Sequence, residues 1–240
     1  MLSVRYTTCQ TGRKPKGHNM KSVIFDLDGT LADTSGDLIA AANACFRELG
    51  HGDLLDAAAD QEVAFNGGRA MLRLGYSRLP TTWDEDDVNA QYPRLLEYYA
   101  EHIDVFTVLY PGVERSLDLL AGSGFALGIC TNKPAGLAEI LLARLGIRER
   151  FGAMLGADSL PVRKPDPEHL FATIHELGGH ADRSVLVGDT ITDRKTAQNA
   201  NIPCILVTFG PKSRDVIAMN PEALLDHYDD LPNVVSNLNL

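Results

Sequence analysis

No apolar run in this chain approaches the roughly 18 residues that a membrane-crossing helix requires, which points away from membrane-spanning roles. Cysteine is scarce and scattered. Cys9, Cys45, Cys130 and Cys204 form no Cys-x-x-Cys pair, and three of them lie inside apolar segments. That pattern argues against a disulfide framework or a zinc site and predicts reduced core thiols in a reducing compartment, the cytoplasm. Positive charge is in deficit, with 22 Lys and Arg against 32 Asp and Glu and a formal net charge of -10. A nucleic-acid partner calls for a basic surface, so that class is set aside. The seven histidines show no ligand spacing, and there is no internal repeat or low-complexity tract. What remains, 45% hydrophobic and 22% charged residues, is the balance of a soluble globular protein, and 240 residues suffice for one core with a small second domain.

Residues 1–19 carry Arg5, Arg13, Lys14 and Lys16 with no acid, interrupted by Gly12, Pro15 and Gly17. They read as a disordered extension, with Met20 as an alternative start. Lys21 onward is different. Val23-Ile24-Phe25 is an apolar strand, and Leu38, Ala42, Cys45, Phe46 and Leu49 then fall at helical spacing up to Gly50. Between Ala57 and Ile103 strand-like alternation is absent. Val63–Leu74, kinked at Asn66-Gly67-Gly68-Arg69, and Gln91–Ile103 read as helices, and Asp84–Asp87 as a solvated loop or helix start. Trp83 fits a packing role in this helical segment. From Tyr110 the rhythm becomes helix then buried strand: Phe125–Cys130, Ala153–Gly156, Ser184–Val187 and Cys204–Thr208 alternate with helices. The expected fold is therefore α/β, a Rossmann-like parallel sheet core of residues 20–34 and 105–240, interrupted by a helical domain of residues 35–104.

In such sheets chemistry collects beyond the carboxyl ends of the strands. The first strand runs directly into Asp26-Leu27-Asp28-Gly29-Thr30, two carboxylates on the same side of an extended segment followed by a glycine. Unpaired carboxylates are costly to bury, so this stretch calls for a cation or donors; an Asp-rich turn is the simpler alternative. The second buried strand ends in Thr131-Asn132-Lys133, a later loop carries Lys164-Pro165, and a further strand ends in Gly188-Asp189-Thr190-Ile191-Thr192-Asp193. Each is weak alone. Together they bring carboxylates, a hydroxyl and a lysine to one sheet edge.

Phe-Asp-Leu-Asp-Gly-Thr-Leu, Cys-Thr-Asn-Lys, Lys164-Pro165 and Val-Gly-Asp-Thr-x-x-Asp, in that order, resemble the four motifs of the haloacid dehalogenase (HAD) superfamily of phosphohydrolases. The helical insertion resembles the C1 cap of its subfamily I. Lys-Pro-x-Pro-Glu-His-Leu and Val-Thr-Phe-Gly are similar to segments of phosphoglycolate phosphatases. The resemblance implies a Mg²⁺-dependent phosphatase for a small phosphorylated metabolite such as 2-phosphoglycolate. By it, Asp26 is the nucleophile and Asp28 the acid/base, which also binds metal through its carbonyl. Thr131 and Lys164 hold the phosphoryl group, Gly29, Thr30 and Asn132 line the substrate, and Asp26, Asp28 and Asp189 form the metal site, with Asp193 as a further ligand or as support. Thr190 stands where serine is usual and keeps the hydroxyl. The presence of Asp28 favours phosphate chemistry over dehalogenation, and Thr30-Leu31 leans toward hydrolysis over a β-phosphoglucomutase-like transfer. A non-catalytic HAD-like binding module is the reading from another class. Arg69, after the double glycine, is the cap residue suited to grip a substrate carboxylate. The expected assembly is a monomer or a homodimer.

Overall fold

Val23, Ile24 and Phe25 alternate sides along one strand, yet none of the three touches solvent. A strand apolar on both faces must lie inside a sheet covered twice, and the computed structural model, which describes residues 20–238 and 240, shows this arrangement. The expected disordered extension, and Cys9 with it, lies outside the described residues. β1 (Ser22–Phe25) is flanked by β4 (Ala126–Cys130) and β6 (Ser184–Gly188). The sheet continues through β5 (Ala153–Leu155) on one side and through β7 (Cys204–Val207) and β8 (Ala223–Leu225) on the other. All six strands are parallel, in the order β5-β4-β1-β6-β7-β8. The chain builds outward from β1 in one direction and then restarts on its other side, so the strand order reverses between β1 and β6. A crevice opens at that switch point.

Two cores follow from the pleat. Val23, Phe25, Val185 and Val187 point to one face, under α5 (Val113–Gly122), α6 (Ala135–Arg144) and α9 (Leu231–Asn237). Ile24, Leu186 and Leu206 point to the other, under α7 (Pro167–Glu176) and α8 (Ile191–Ala200). Asp166 caps α7 by accepting from Glu168 N, with Pro167 in the first turn. Cys45, Cys130 and Cys204 are buried free thiols.

Between β1 and β4 the chain forms four further helices: α1 (Ser35–Glu48), α2 (Gln61–Ala64), α3 (Gly68–Ser77) and α4 (Glu85–Glu101). The break between α2 and α3 falls at Gly67, whose φ of 91° few other residues adopt. One boundary differs from expectation. α4 begins at Glu85 and carries Pro93 in its interior, so the helix read over Gln91–Ile103 extends back to the acidic run, which is a helix start rather than a solvated loop. The acidic run is the reason: Asp84 accepts from the N–H groups of Asp86 and Asp87, and Asp87 accepts from Asp84 N, a reciprocal cap that fixes the start.

Both crossings between helices and sheet are pinned. β2 (Ala32–Asp33) pairs antiparallel with β3 (Val108–Leu109). The buried Asp37 carboxylate accepts from Phe106 N, Thr107 N and Thr107 Oγ1. Two-residue strands carry no period, so neither was legible in the sequence.

Inside the helical unit, Phe46 meets Tyr76 edge-on and Tyr76 stacks on Trp83, which makes Trp83 a packing residue as expected. α3 approaches α1 this closely because Gly75 has no side chain; a Cβ there would stand 2.1 Å from Phe46 Cε2. Gly75→Ala should therefore lower stability by about 1–3 kcal/mol through overpacking. That sign opposes the gain of up to about 1 kcal/mol that alanine brings to a helix interior. Urea unfolding decides between them, and an unchanged or raised midpoint would contradict this packing.

Candidate active site

The β1 register aligns Phe25 with Ile129 on one neighbour and Val187 on the other, so the residues following all three strands emerge at one level. Asp26, Thr131 and Asp189 are those residues or lie one beyond them. The helix-bearing loop before α7 adds Lys164, whose peptide bond to Pro165 is cis. Lys164 is 3% exposed, far from the surface position usual for lysine. Its ammonium lies 3.0 Å from Asp26 Oδ1 and 2.6 Å from Asp193 Oδ1.

The three carboxylates there are not equivalent. Asp193 is satisfied on both oxygens: Oδ1 takes Lys164, and Oδ2 accepts from Thr190 Oγ1 at 2.7 Å, Thr190 N at 3.1 Å and Asp189 N at 3.3 Å. Burial opposes its ionisation, but Lys164 and these donors outweigh it and hold its pKa below the ordinary carboxylate value. The hydroxyl of Thr190 thus does what the usual serine would. Asp189 accepts from Thr30 Oγ1 on Oδ1 at 2.9 Å, while its buried Oδ2 has no hydrogen-bond partner. Burial, with the charges of Asp193 and Asp26, drives its pKa well above the ordinary value. Asp26 is pushed up to about 6, first by burial and then by Asp193 and Asp28, with Lys164 opposing.

These features fit a divalent cation. Asp26, Asp189 and Asp193 each place a carboxylate oxygen within 4.8 Å of the others, with Lys164 the nearby balancing charge. The free Asp189 Oδ2 faces a space that only glycine leaves open, since a Cβ on Gly29 would lie 2.5 Å from it. Asp26 and Asp189 have oxygen to offer, whereas Asp193 is occupied and positions its neighbours. An all-oxygen set selects a hard cation.

The remaining expected residues divide. Thr131 is buried, and its hydroxyl accepts from Lys133 N at 3.2 Å. Asn132 donates to the Lys164 carbonyl at 3.0 Å and so braces the lysine loop. Thr30 supports Asp189. Arg69 stacks on Tyr92 at 3.9 Å and donates to Asn89, both on α4, and has no hydrogen bond or ion pair to the motif loops. Asp28 stands outside the cluster of three, and its carboxylate accepts from Lys133 Nζ at 2.8 and 3.1 Å. Lys133 also donates to Tyr99 Oη on α4 at 2.7 Å. Tyr228 donates to the Thr30 carbonyl at 2.8 Å from beneath the first loop. Lys133 lies in the loop after β4 and Tyr99 lies within α4, and nothing local in the sequence says that they meet. Tyr228 follows the last short strand, β8, in a stretch without a pattern long enough to read.

A sign follows for the cation-free protein. An acid whose pKa is raised by folding binds its proton more tightly folded than unfolded, so stability is lost as pH climbs from the unfolded value near 3.8 through the folded one. In a chelator, the melting temperature should therefore fall relative to that of Asp189→Asn as pH rises above the ordinary carboxylate value of about 4. Excess divalent cation should remove the difference. Parallel melting profiles for the two proteins would contradict the charge assignment.

Comparison with known proteins gives the family. The family model described as haloacid dehalogenase-like hydrolase matches residues 23–207. Phosphoglycolate phosphatase of Agrobacterium fabrum is 35% identical over 207 residues, 85% of this chain and 88% of that protein. The enzyme of the same name from Mesorhizobium japonicum is 36% identical, covering 87% and 92%. The crystal structure of a predicted phosphoglycolate phosphatase from Haemophilus somnus superposes with a TM-score of 0.80 at 25% identity, covering 90% of this chain and 97% of that one. The chain is a phosphatase of the haloacid dehalogenase-like hydrolase family.

Proposed function

We propose that this protein hydrolyses a small phosphomonoester, 2-phosphoglycolate or a close analogue, through an aspartyl-phosphate on Asp26. The observation that carries the reading is the pairing of Asp26 with the buried Lys164 ammonium at 3.0 Å, while Asp28 is held separately by Lys133. An anionic nucleophile approaches an anionic phosphate only where fixed positive charge screens the repulsion, and Lys164 supplies it. The side chains of Asp26 and Asp28 are 13% and 21% exposed, so both remain reachable from the cleft.

In the first half-reaction an Asp26 oxygen bonds to phosphorus as the ester P–O bond breaks, and Asp28 gives its proton to the departing alkoxide. In the second, Asp28 takes a proton from water as that water bonds to phosphorus. The P–O bond to Asp26 then breaks and inorganic phosphate leaves. Thr131 and Lys164 hold the phosphoryl oxygens throughout, and Asp193 keeps Lys164 aimed. Mg²⁺, when held by Asp26, the Asp28 carbonyl and Asp189 with Asp193 in support, neutralises phosphoryl charge. Residues 35–104 act as the cap that covers the reacting group.

Hydrolysis of p-nitrophenyl phosphate should require added Mg²⁺, stop in EDTA and fall to background in Asp26→Asn. Metal-independent turnover, or full activity in that variant, would sink the assignment. In the same assay Arg69→Ala tests the cap arginine. If Arg69 exchanges Asn89 and Tyr92 for a substrate carboxylate, KM should rise more for 2-phosphoglycolate than for p-nitrophenyl phosphate, and equal effects remove it from specificity.

A further inference from the structure

Among the described residues, three lysine or arginine side chains are buried: Lys133, Lys164 and Arg194. Arg194 lies away from the site, paired with Glu222 and the carbonyls of Met219 and Asn220. Lys164 serves the nucleophile. Lys133 stands at the opposite end of the reaction, against Asp28, the group that meets the leaving oxygen. A buried ammonium costs free energy unless its partners repay it, and one carboxylate at 21% side-chain exposure would be well served by a surface lysine. The burial of Lys133 therefore needs a further reason.

Tyr99 supplies the second observation. Its side chain is 1% exposed, its oxygen accepts from Lys133 Nζ at 2.7 Å, and its ring lies under the same ammonium at 4.4 Å. Because the phenol accepts there, its own O–H hydrogen is left without an acceptor among the described residues. The fold holds this pair firmly. Lys133 N donates to Thr131 Oγ1, and its carbonyl accepts from Ala157 N at 2.9 Å. Gly156 lets that loop close, since a Cβ on it would stand 2.7 Å from the Lys133 carbonyl oxygen. A cation and an unspent O–H donor thus sit side by side next to the acid/base, with α4 directly over them.

We infer that Lys133 and Tyr99 form the leaving-group subsite, and that it takes an alcohol bearing a carboxylate one carbon from the ester oxygen. This rests on the phosphatase reading above and adds the residues that recognise the departing half of the substrate. A carboxylate so placed reaches an ammonium and a hydroxyl beside Asp28 while its ester oxygen meets Asp28 itself. The direct Tyr99–Lys133 contact leaves little depth under the helix, which favours small acids over sugars.

The test compares kcat/KM for 2-phosphoglycolate and ethyl phosphate, esters of similar size of which only the first carries the extra anion. Wild type should prefer 2-phosphoglycolate. Lys133→Met should lose about ten- to a hundredfold more on 2-phosphoglycolate than on ethyl phosphate, the range expected for a charged hydrogen bond. Tyr99→Phe, which keeps the ring, should lose about three- to tenfold more. Should Lys133→Met fail to fold by circular dichroism, Tyr99→Phe carries the comparison. Equal losses on the two esters, or a wild type without preference, overturn the subsite and leave the phosphatase intact. A wild type inactive on both contradicts the hydrolase reading and this inference with it.

Discussion

Asp26, Asp189 and Asp193 share a single ammonium, Lys164, at the carboxyl edge of the sheet, and the imbalance between them governs the site. Lys164 bridges Asp26 and Asp193, but its single charge cannot satisfy a third acid. The backbone decides which acids lose. The turn into α8 points two N–H groups and the Thr190 hydroxyl at Asp193, so that residue ionises easily and Asp26 and Asp189 do not. Their unmet demand is what a cation and a phosphoryl group would fill. Without those ligands it is a cost in stability, carried by the large two-sided core around β1.

That core also explains why the four loops converge. Parallel pairing of β1 with β4 and β6 sets one level for the strand ends, and the reversal of strand order leaves the crevice beside Asp26 and Asp189. The helical unit returns to this crevice through two fixed crossings, the β2–β3 pair and the Asp37 clamp. Tyr99 can therefore reach Lys133 from α4, and Gly29 lies close beneath Phe65: a Cβ there would stand 3.0 Å from the Phe65 ring. On the proposed reading, phosphoryl chemistry falls to the sheet edge and contact with the rest of the substrate to the surface between sheet and helices.

The sheet and the motif loops were legible because they are local: apolar runs of four to six residues, each followed at once by its polar group. Asp26, Asp28, Thr131, Lys164, Asp189 and Asp193 stand where the order of those runs puts them. Their division of labour was only partly legible. Asp193 reads as a ligand or support from sequence, and its saturated oxygens favour support. Asn132 and Thr30 read as substrate contacts from sequence, and the structure adds one hydrogen bond that each donates within the protein, to the Lys164 carbonyl and to Asp189. Lys133 with Tyr99, and Tyr228 with Thr30, join residues 34 and 198 positions apart, and no spacing rule spans such distances. The start of α4 was only half legible: Asp84–Asp87 reads equally as a solvated loop or a helix start, and the reciprocal cap makes it the start.

The proposed mechanism turns on a bond between Asp26 and phosphorus. Acid quench during steady-state turnover of ³²P-labelled substrate, followed by proteolysis and mass spectrometry, tests it directly. The account predicts a hydroxylamine-labile phosphoryl group on the peptide containing Asp26 and none in Asp26→Asn. Label on another residue, or turnover with no covalent phosphate in a rapid-quench series, would contradict it.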